Sequence, residues 1–434
     1  MADTILLKSI SHGSLPTLLA REPAVAFDPM TGSAQLFIGT PVGNQLVTGA
    51  AGVSGPPGLG LVGVLTTAPP TGLAAPVGNG VADDTAALQA LIQYAQDHYL
   101  PMLWAPGLYR VTAPLRVCNV VASGPFATVG GQQPGFTWLG MTSHSATGTD
   151  AKGVTIKMAA SNQEAVIILG AQVSLHNRIE NMTIDGGGTA LNTGASLKTR
   201  ATFWSGLQLH NVNLQAANIA LYISNPDGGS NGEFVNLAHC YLSAHTSMYK
   251  SDDASGQSTP HFWSTIMGGV DNGGTCFDVA GGSANLTLNG LSVTAGTGAS
   301  ANTLLKGNGA ANVKISGGRC ELIDTVYSNT AGGALSGHVK IEDIHFDGMP
   351  NHGPLFTLGG GTQETVTLEN CIFSTNTGGT MTASSGGANN ALALVRCTFG
   401  GWGSTAALLS PTNVTLEGCR SGLPGAGLLP LIHN

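Results

Sequence analysis

The sequence predicts an all-β chain wound as a parallel β-helix, and three observations carry the prediction. First, an octet of apolar, polar, apolar, polar, small or polar, apolar, polar, apolar residues returns throughout residues 178–420. It is clearest as Val366–Phe373, Val339–Phe346 and Leu392–Phe399, and looser as Leu207–Leu214, Val235–Leu242, Leu286–Val293 and Val313–Cys320. Two strands of period 2 meet there at a corner, marked by the fifth residue. Second, the corners at 181, 211, 239, 268, 290, 317, 343, 370, 396 and 418 step by about 26 residues, the period of a solenoid. The corner at Gly268 rests on spacing more than on pattern. A β-sandwich also has short alternating strands, but nothing in it would keep such a step. Third, the chain has 63 glycines and only 9% charged residues, and almost no helical periodicity. Coil-to-coil hydrogen bonds satisfy the backbone of such a chain without helices.

The position after each corner points inward. It reads Met182, Val212, Cys240, Leu291, Gly318, Ile344, Cys371, Cys397 and Cys419. Four of the seven cysteines fall on this column, so neighbours such as Cys371 and Cys397 are expected as stacked buried thiols. The odd count and the lack of a C-x-x-C spacing indicate neither disulfides nor zinc. No metal or cofactor is expected.

From the N-terminus, Met1–Ile10 lacks a basic start followed by an apolar core, so no signal peptide is expected. No apolar run has membrane-spanning length, which argues against membrane insertion. The net charge is −8 and the 16 basic residues are scattered, which argues against nucleic acid. The expected setting is synthesis in a cytoplasm and release by lysis, not secretion. Residues 1–48 read as a separate β module, with Phe27–Thr40 as strand, turn, strand, and Asp28-Pro29 and Thr31-Gly32 supplying the turn. Residues 49–75 form a neck: Gly52–Gly60 holds three Gly-x-y triplets with Pro56-Pro57. They suit either a collagen-type segment on a three-fold axis or a plain Pro/Gly linker, and the linker composition runs on to 80.

The solenoid is expected over 76–423, opened by a helix at 84–96. Asp83 or Asp84 would cap it, and Leu88, Leu91, Ile92 and Ala95 form its apolar face. This helix would close the open end of the first coil. Leu103–Val111 reads as strand, Pro-Gly turn, strand, and 424–434 as a short tail.

Two stretches resemble known families. Glu22–Pro29, Leu36–Thr40 and Gly43–Val47 resemble the N-terminal module of many phage tail fibres, which implies attachment to tail or baseplate proteins through residues 1–48. Gly80–Gln89 (GVADDTAALQ) with Trp104–Val111 (WAPGLYRV) resembles the opening of pectate-lyase-superfamily right-handed β-helices, the fold of polygalacturonases and many phage tailspikes. The resemblance implies a homotrimeric tailspike or tail fibre in the virion that recognises host cell-surface polysaccharide. It leaves open a polysaccharide depolymerase, glycosidase or lyase, and a purely structural virion protein, because the fold hosts all of these.

The repeat also says which residues meet. Equivalent places on adjacent coils lie about 4.8 Å apart. Four past the corner, Glu321 and Asp347 are neighbours, and two past it, Arg319 and His345 are. Both places face outward, giving a patch with Asp324 near. Paired carboxylates are what glycoside hydrolysis needs, and like charges would raise one pKa for a general acid. The other reading is a charge ladder in which Arg319 and His345 balance the acids. Glu342 over Glu369, one before the corner, reads as a solvated edge. The longest break in the repeat, 243–263, carries Tyr249, Asp252, Asp253, His261 and Trp263. With the acids of the loop 224–233 and Trp204, it is a candidate saccharide groove, its aromatics stacking on sugar faces or buried in the core. Catalytic candidates are therefore Glu321, Asp347, Asp252 and Asp253. Binding candidates are Arg319, His345, Trp263, Tyr249, His261 and Trp204.

Overall fold

A computed structural model describes residues 63–117, 132–141, 153–169, 173–199, 204–224, 234–251, 260–279, 284–298, 300–307, 311–329 and 336–349. It further describes 355–358, 363–374, 383–385, 391–400 and 414–421, and four short strands before residue 47. Those four, Lys8–Ser11, Pro23–Phe27, Ala34–Thr40 and Gly43–Leu46, form one sheet in chain order. Pro23–Phe27 runs antiparallel to Ala34–Thr40, as the strand–turn–strand reading requires. Lys8–Ser11 adds a parallel strand that no pattern signalled. The Gly-x-y triplets lie outside the described residues.

The second compact unit is the solenoid, and its strands pair in parallel from coil to coil. Each regular coil contributes three runs. One precedes the corner and one follows it, as in Asn312–Glu321 pairing with His338–Asp347. The third is separate, a ladder from Ala165–Leu169 through Ala195–Thr199, Thr275–Val279 and Thr303–Gly307 to Thr325–Asn329. No octet marked this third run. The Pro/Gly composition placed the linker too far along the chain. Val64–Leu65 already pairs with Met102 and Leu103, and Asn79–Asp83 is a strand.

The corners are left-handed residues, and this is why Asn, Asp and Gly mark them. Asn181, Asn211, His239, Gly290, Gly317, Asp343, Asn370, Arg396 and Gly418 have φ between +50 and +72°, a region most side chains avoid. One expected corner moves. Thr265 (φ +52°) turns that coil, pairing Ser264 with Ala238 and Ile266 with Cys240. Gly268 instead sits three past the corner, where a Cβ would stand 1.8 Å from the Leu242 carbonyl oxygen.

The place after the corner is buried as expected, from Met182 and Val212 to Cys397 and Cys419. Gly318 is the exposed exception; its φ is +136° and a Cβ would meet the Leu291 carbonyl oxygen at 1.9 Å. Six described cysteines are free and buried. Three past the corner, Phe346, Phe373 and Phe399 stack with centroids 4.9 Å apart and planes within 9°. Full burial of each such ring stabilises the fold by roughly 1.5–3 kcal/mol.

The helix Thr85–Asp97 buries Leu88, Leu91, Ile92 and Ala95 in the same core. Its acids are structural, by an unexpected route. Asp84 is buried and accepts the Val77 and Gly78 amides instead of capping the helix. Asp83 accepts from the Thr85 amide at 3.1 Å and the Thr112 hydroxyl at 2.6 Å. The Thr112 bond is the main reason its pKa lies below the ordinary value.

Candidate functional site

On the face that follows the corner, places two and four beyond it point outward, because strand side chains alternate. In the first coils these places are mostly closed: Thr183, Asp185 and Asn213 are buried and Gln215 is half-buried. From Tyr241 onward they open. The outer column two past the corner reads Tyr241, Met267, Ser292, Arg319, His345 and Ile372; four past it are Ser243, Gly269, Thr294, Glu321, Asp347 and Ser374. Met267 is 51% exposed and Ile372 45%, so two apolar side chains flank a polar stretch.

The register brings Glu321 beside Asp347 and Arg319 beside His345, as the repeat predicts. Arg319 Nη2 lies 2.6 Å from Asp347 Oδ2 and 2.9 Å from Glu321 Oε1. The hydrogen bond to Asp347, and then the charge of Glu321, raise the Arg319 pKa above its ordinary value. Asp347 Oδ1 also accepts from the Gly348 amide at 2.9 Å and the Ser374 hydroxyl at 3.1 Å. Donors converging on a carboxylate suit an anchor; a general acid needs a carboxyl without them. Arg319 thus stands between the two acids and contacts both.

Ser374 Oγ is also 2.6 Å from His345 Nε2. The hydroxyl has one proton. Given to Asp347, it leaves Ser374 accepting from Nε2–H and makes Nδ1 the acceptor nitrogen of a neutral imidazole.

Next to this patch, the small residues Ser243, Gly269, Ser292 and Thr294 form the floor of a groove of about 350 Å³, bounded by Tyr241, Met267 and Asp271. Thr294 joins groove to patch by donating to Glu321 Oε2 at 3.1 Å. Sequence reasoning missed Asp271 and its partner His245, whose Nδ1 is 2.7 Å from Asp271 Oδ2. Both lie beyond the last alternating place, where the pattern no longer says which residue faces out.

The candidates of 243–263 fare differently. Tyr249 and Trp263 are 0% and 1% exposed and meet edge to face at 5.0 Å inside the core. As stacking platforms for sugar they are corrected: their rings are closed to a ligand in the folded chain. The expected long break is itself shorter, since Asn236–Ser251 and Pro260–Val270 are strands. Asp252 and Asp253 lie outside the described residues, as does 225–233. Trp204 pairs with Ser174 and His261 with Leu286 on neighbouring strands, and their side chains lie outside the described part. Asp324, placed near the patch, is buried and accepts from the Asn302 amide.

Glu342 does stack on Glu369, but the column is neutralised. Lys340 Nζ reaches Glu342 at 2.6 Å and Glu369 at 3.0 Å, Lys314 pairs with Glu342, and Arg396 with Glu369. A second groove of about 450 Å³ lies on this preceding face, between Asn285, Asn312, Lys314, His338 and Lys340. Its two lysines are the ones already paired with Glu342.

Among the described residues no group of three or more His, Cys, Asp or Glu can hold a metal ion. Among them also, no helix is long and apolar enough to cross a membrane.

No protein-family model matches the chain, and no curated protein does. Solved structures are similar to it in fold. The gp42 tailspike of Acinetobacter phage vb_AbaP_AS12 is 10% identical, with 96% of this chain and 74% of that one covered and a TM-score of 0.48. ORF18 of Geobacillus virus E2 is 13% identical, with 96% and 74% covered and a TM-score of 0.41. The mannuronan C-5 epimerase AlgE6 A-module of Azotobacter vinelandii is 14% identical, with 83% and 100% covered and a TM-score of 0.42.

Proposed function

We propose that the chain is a phage tailspike or tail fibre protein that binds host cell-surface polysaccharide on the open face between Tyr241 and Ser374. The observation that supports this most is the change along one face. The outward columns are mostly buried in the first coils and then open into a groove floored by small residues, beside the patch of Arg319, Glu321, His345 and Asp347. Rigid strands holding hydroxyls, carboxylates and one guanidinium in fixed register suit a ligand made of repeated sugar hydroxyls. The tail-fibre-like motif within residues 1–48 and the Gly-x-y triplets of 52–60 support a virion-attached homotrimer. Recognition is favoured over cleavage because Arg319 bridges the two carboxylates and Asp347 takes two further donors.

The test is incubation of the full-length protein with surface polysaccharide from candidate hosts, followed by size-exclusion chromatography of both components. Co-elution with the polysaccharide at its original size is the expected result. A fall in polysaccharide size would make the protein a depolymerase instead. Neither effect across true hosts would leave a structural virion protein. Light scattering of the free protein checks the trimer, and a monomer would refute it.

A further inference from the structure

Resting on that reading, we infer that the glycan carries no acidic group where it crosses the Arg319 position: it is an uncharged or amino-bearing polysaccharide. The charges on the face decide this. Between Tyr241 and Ser374, Glu321 and Asp347 stand in the two outward columns, and Asp271 bounds the groove. Arg319 is the one Lys or Arg of these columns among the described residues, and its Nη2 already serves both Asp347 and Glu321.

A uronate or phosphate reaching the remaining N–H donors of Arg319 would stand beside Glu321 and Asp347, whose two negative charges outweigh the single guanidinium they share. It would meet like charge on both sides, at a cation whose charge is already balanced. A sugar hydroxyl meets no such conflict. Ionised carboxylates accept at several positions each, and Ser292 and Thr294 are exposed alongside as donors or acceptors. An amino group would add an ion pair. Lysines do exist nearby in the chain, but Lys314 and Lys340 belong to the preceding face and are bound to Glu342. The exposed methionine at 267 supplies an apolar surface for the C–H face of a pyranose, which needs no charge.

The experiment splits host surface polysaccharide by anion exchange into neutral and acidic fractions and measures retention of the full-length protein by each at low ionic strength. Retention by the neutral fraction and not by the acidic one is expected. The double variant Glu321→Gln, Asp347→Asn frees Arg319 and removes two negative charges, so its affinity for the acidic fraction should rise about tenfold. Wild-type retention by the acidic fraction that disappears in Arg319→Gln would overturn this inference and leave saccharide recognition standing. Retention by neither fraction would overturn both.

Discussion

Arg319 Nη2 stands 2.6 Å from Asp347 on the next coil and 2.9 Å from Glu321 on its own strand, so one side chain ties two coils together at the edge of the groove. The three groups are exposed enough that the pairing adds little to folding, since water and salt screen it. Its effect is to hold two like charges side by side in fixed orientation. Arg319→Gln should therefore weaken binding of a neutral host glycan by about tenfold while leaving the denaturation midpoint close to wild type. Calorimetric titration and a denaturant melt on the same sample check this. Unchanged affinity with a lowered midpoint would make the triad a structural clasp only.

The corner at Thr265 is the strained member of its ladder. A β-branched residue at φ +52° carries a left-handed conformation that Asn adopts more readily. Thr265 is exposed, so a replacement meets solvent and not core. Thr265→Asn should stabilise the fold by about 1 kcal/mol, read as a higher denaturant midpoint with an unchanged slope. A lower midpoint would mean that the threonine makes contacts worth more than its strain.

How far the sequence could be read follows from which physical rule each residue obeys. Asn181, Asn370 and Asp343 declared their corners because their type tolerates positive φ. Thr265 hid its corner because its type does not, and Gly268 drew attention for a different reason, its close approach to the Leu242 carbonyl. Glu321 and Asp347 were legible as neighbours because a repeat fixes register, and register fixes contact. Their bridging by one Nη2 was not, since a repeat says nothing of rotamers. Tyr249 and Trp263 misled because Ser, Asp and Lys around them resemble a loop. Tyr249 lies on the third run of its coil, only about five residues long and too short for its alternation to outweigh such polar neighbours, whereas Trp263 lies two places before the hidden corner at Thr265, beside Leu237 and Leu288, so both rings turn inward.

The aromatic stack gives a sharper test of the core. Phe373 lies between Phe346 and Phe399, with both centroid distances 4.9 Å and no exposed surface. Phe373→Ala leaves a cavity walled by two rings fixed to adjacent coils, which cannot collapse onto each other. The expected cost is about 3–5 kcal/mol. Phe373→Leu should cost distinctly less, and equal effects in equilibrium unfolding would argue that the coils relax.

The thiols make a chemical version of the same point. Burial pushes the Cys240 thiol up to about 11 and that of Cys276 up to about 12. Reactivity needs the thiolate and access to it, and these positions have neither. In the native protein, Cys240, Cys276, Cys320, Cys371, Cys397 and Cys419 should resist iodoacetamide at pH 8, Cys371 through burial alone because its hydrogen bond with Cys397 lowers its pKa, and all should become alkylated in denaturant, as read by site-resolved mass spectrometry. Rapid native labelling of Cys397 would show that the coils there open on the labelling timescale.

Glu342 sets the expected acid limit of the solenoid. Its carboxylate accepts from Lys314 and from Lys340, each at 2.6 Å, and Lys340 extends the chain of charges to Glu369. The Lys314 hydrogen bond first, and then that of Lys340, hold its pKa below the ordinary 4.5. Lys340 is likewise the main reason the Glu369 pKa is lowered. A carboxyl with a lower pKa folded than unfolded stabilises the fold above the unfolded value and loses that contribution as pH falls through the folded one. The denaturant midpoint should therefore hold steady from neutrality to about pH 5 and fall below 4.5. Glu342→Gln should lower the neutral midpoint and flatten the acid drop, bringing the two curves together near pH 3. Added salt should narrow the gap at neutral pH, because these pairs face solvent. If instead the curves stay parallel across the range, Glu342 matters for its shape and not for its charge.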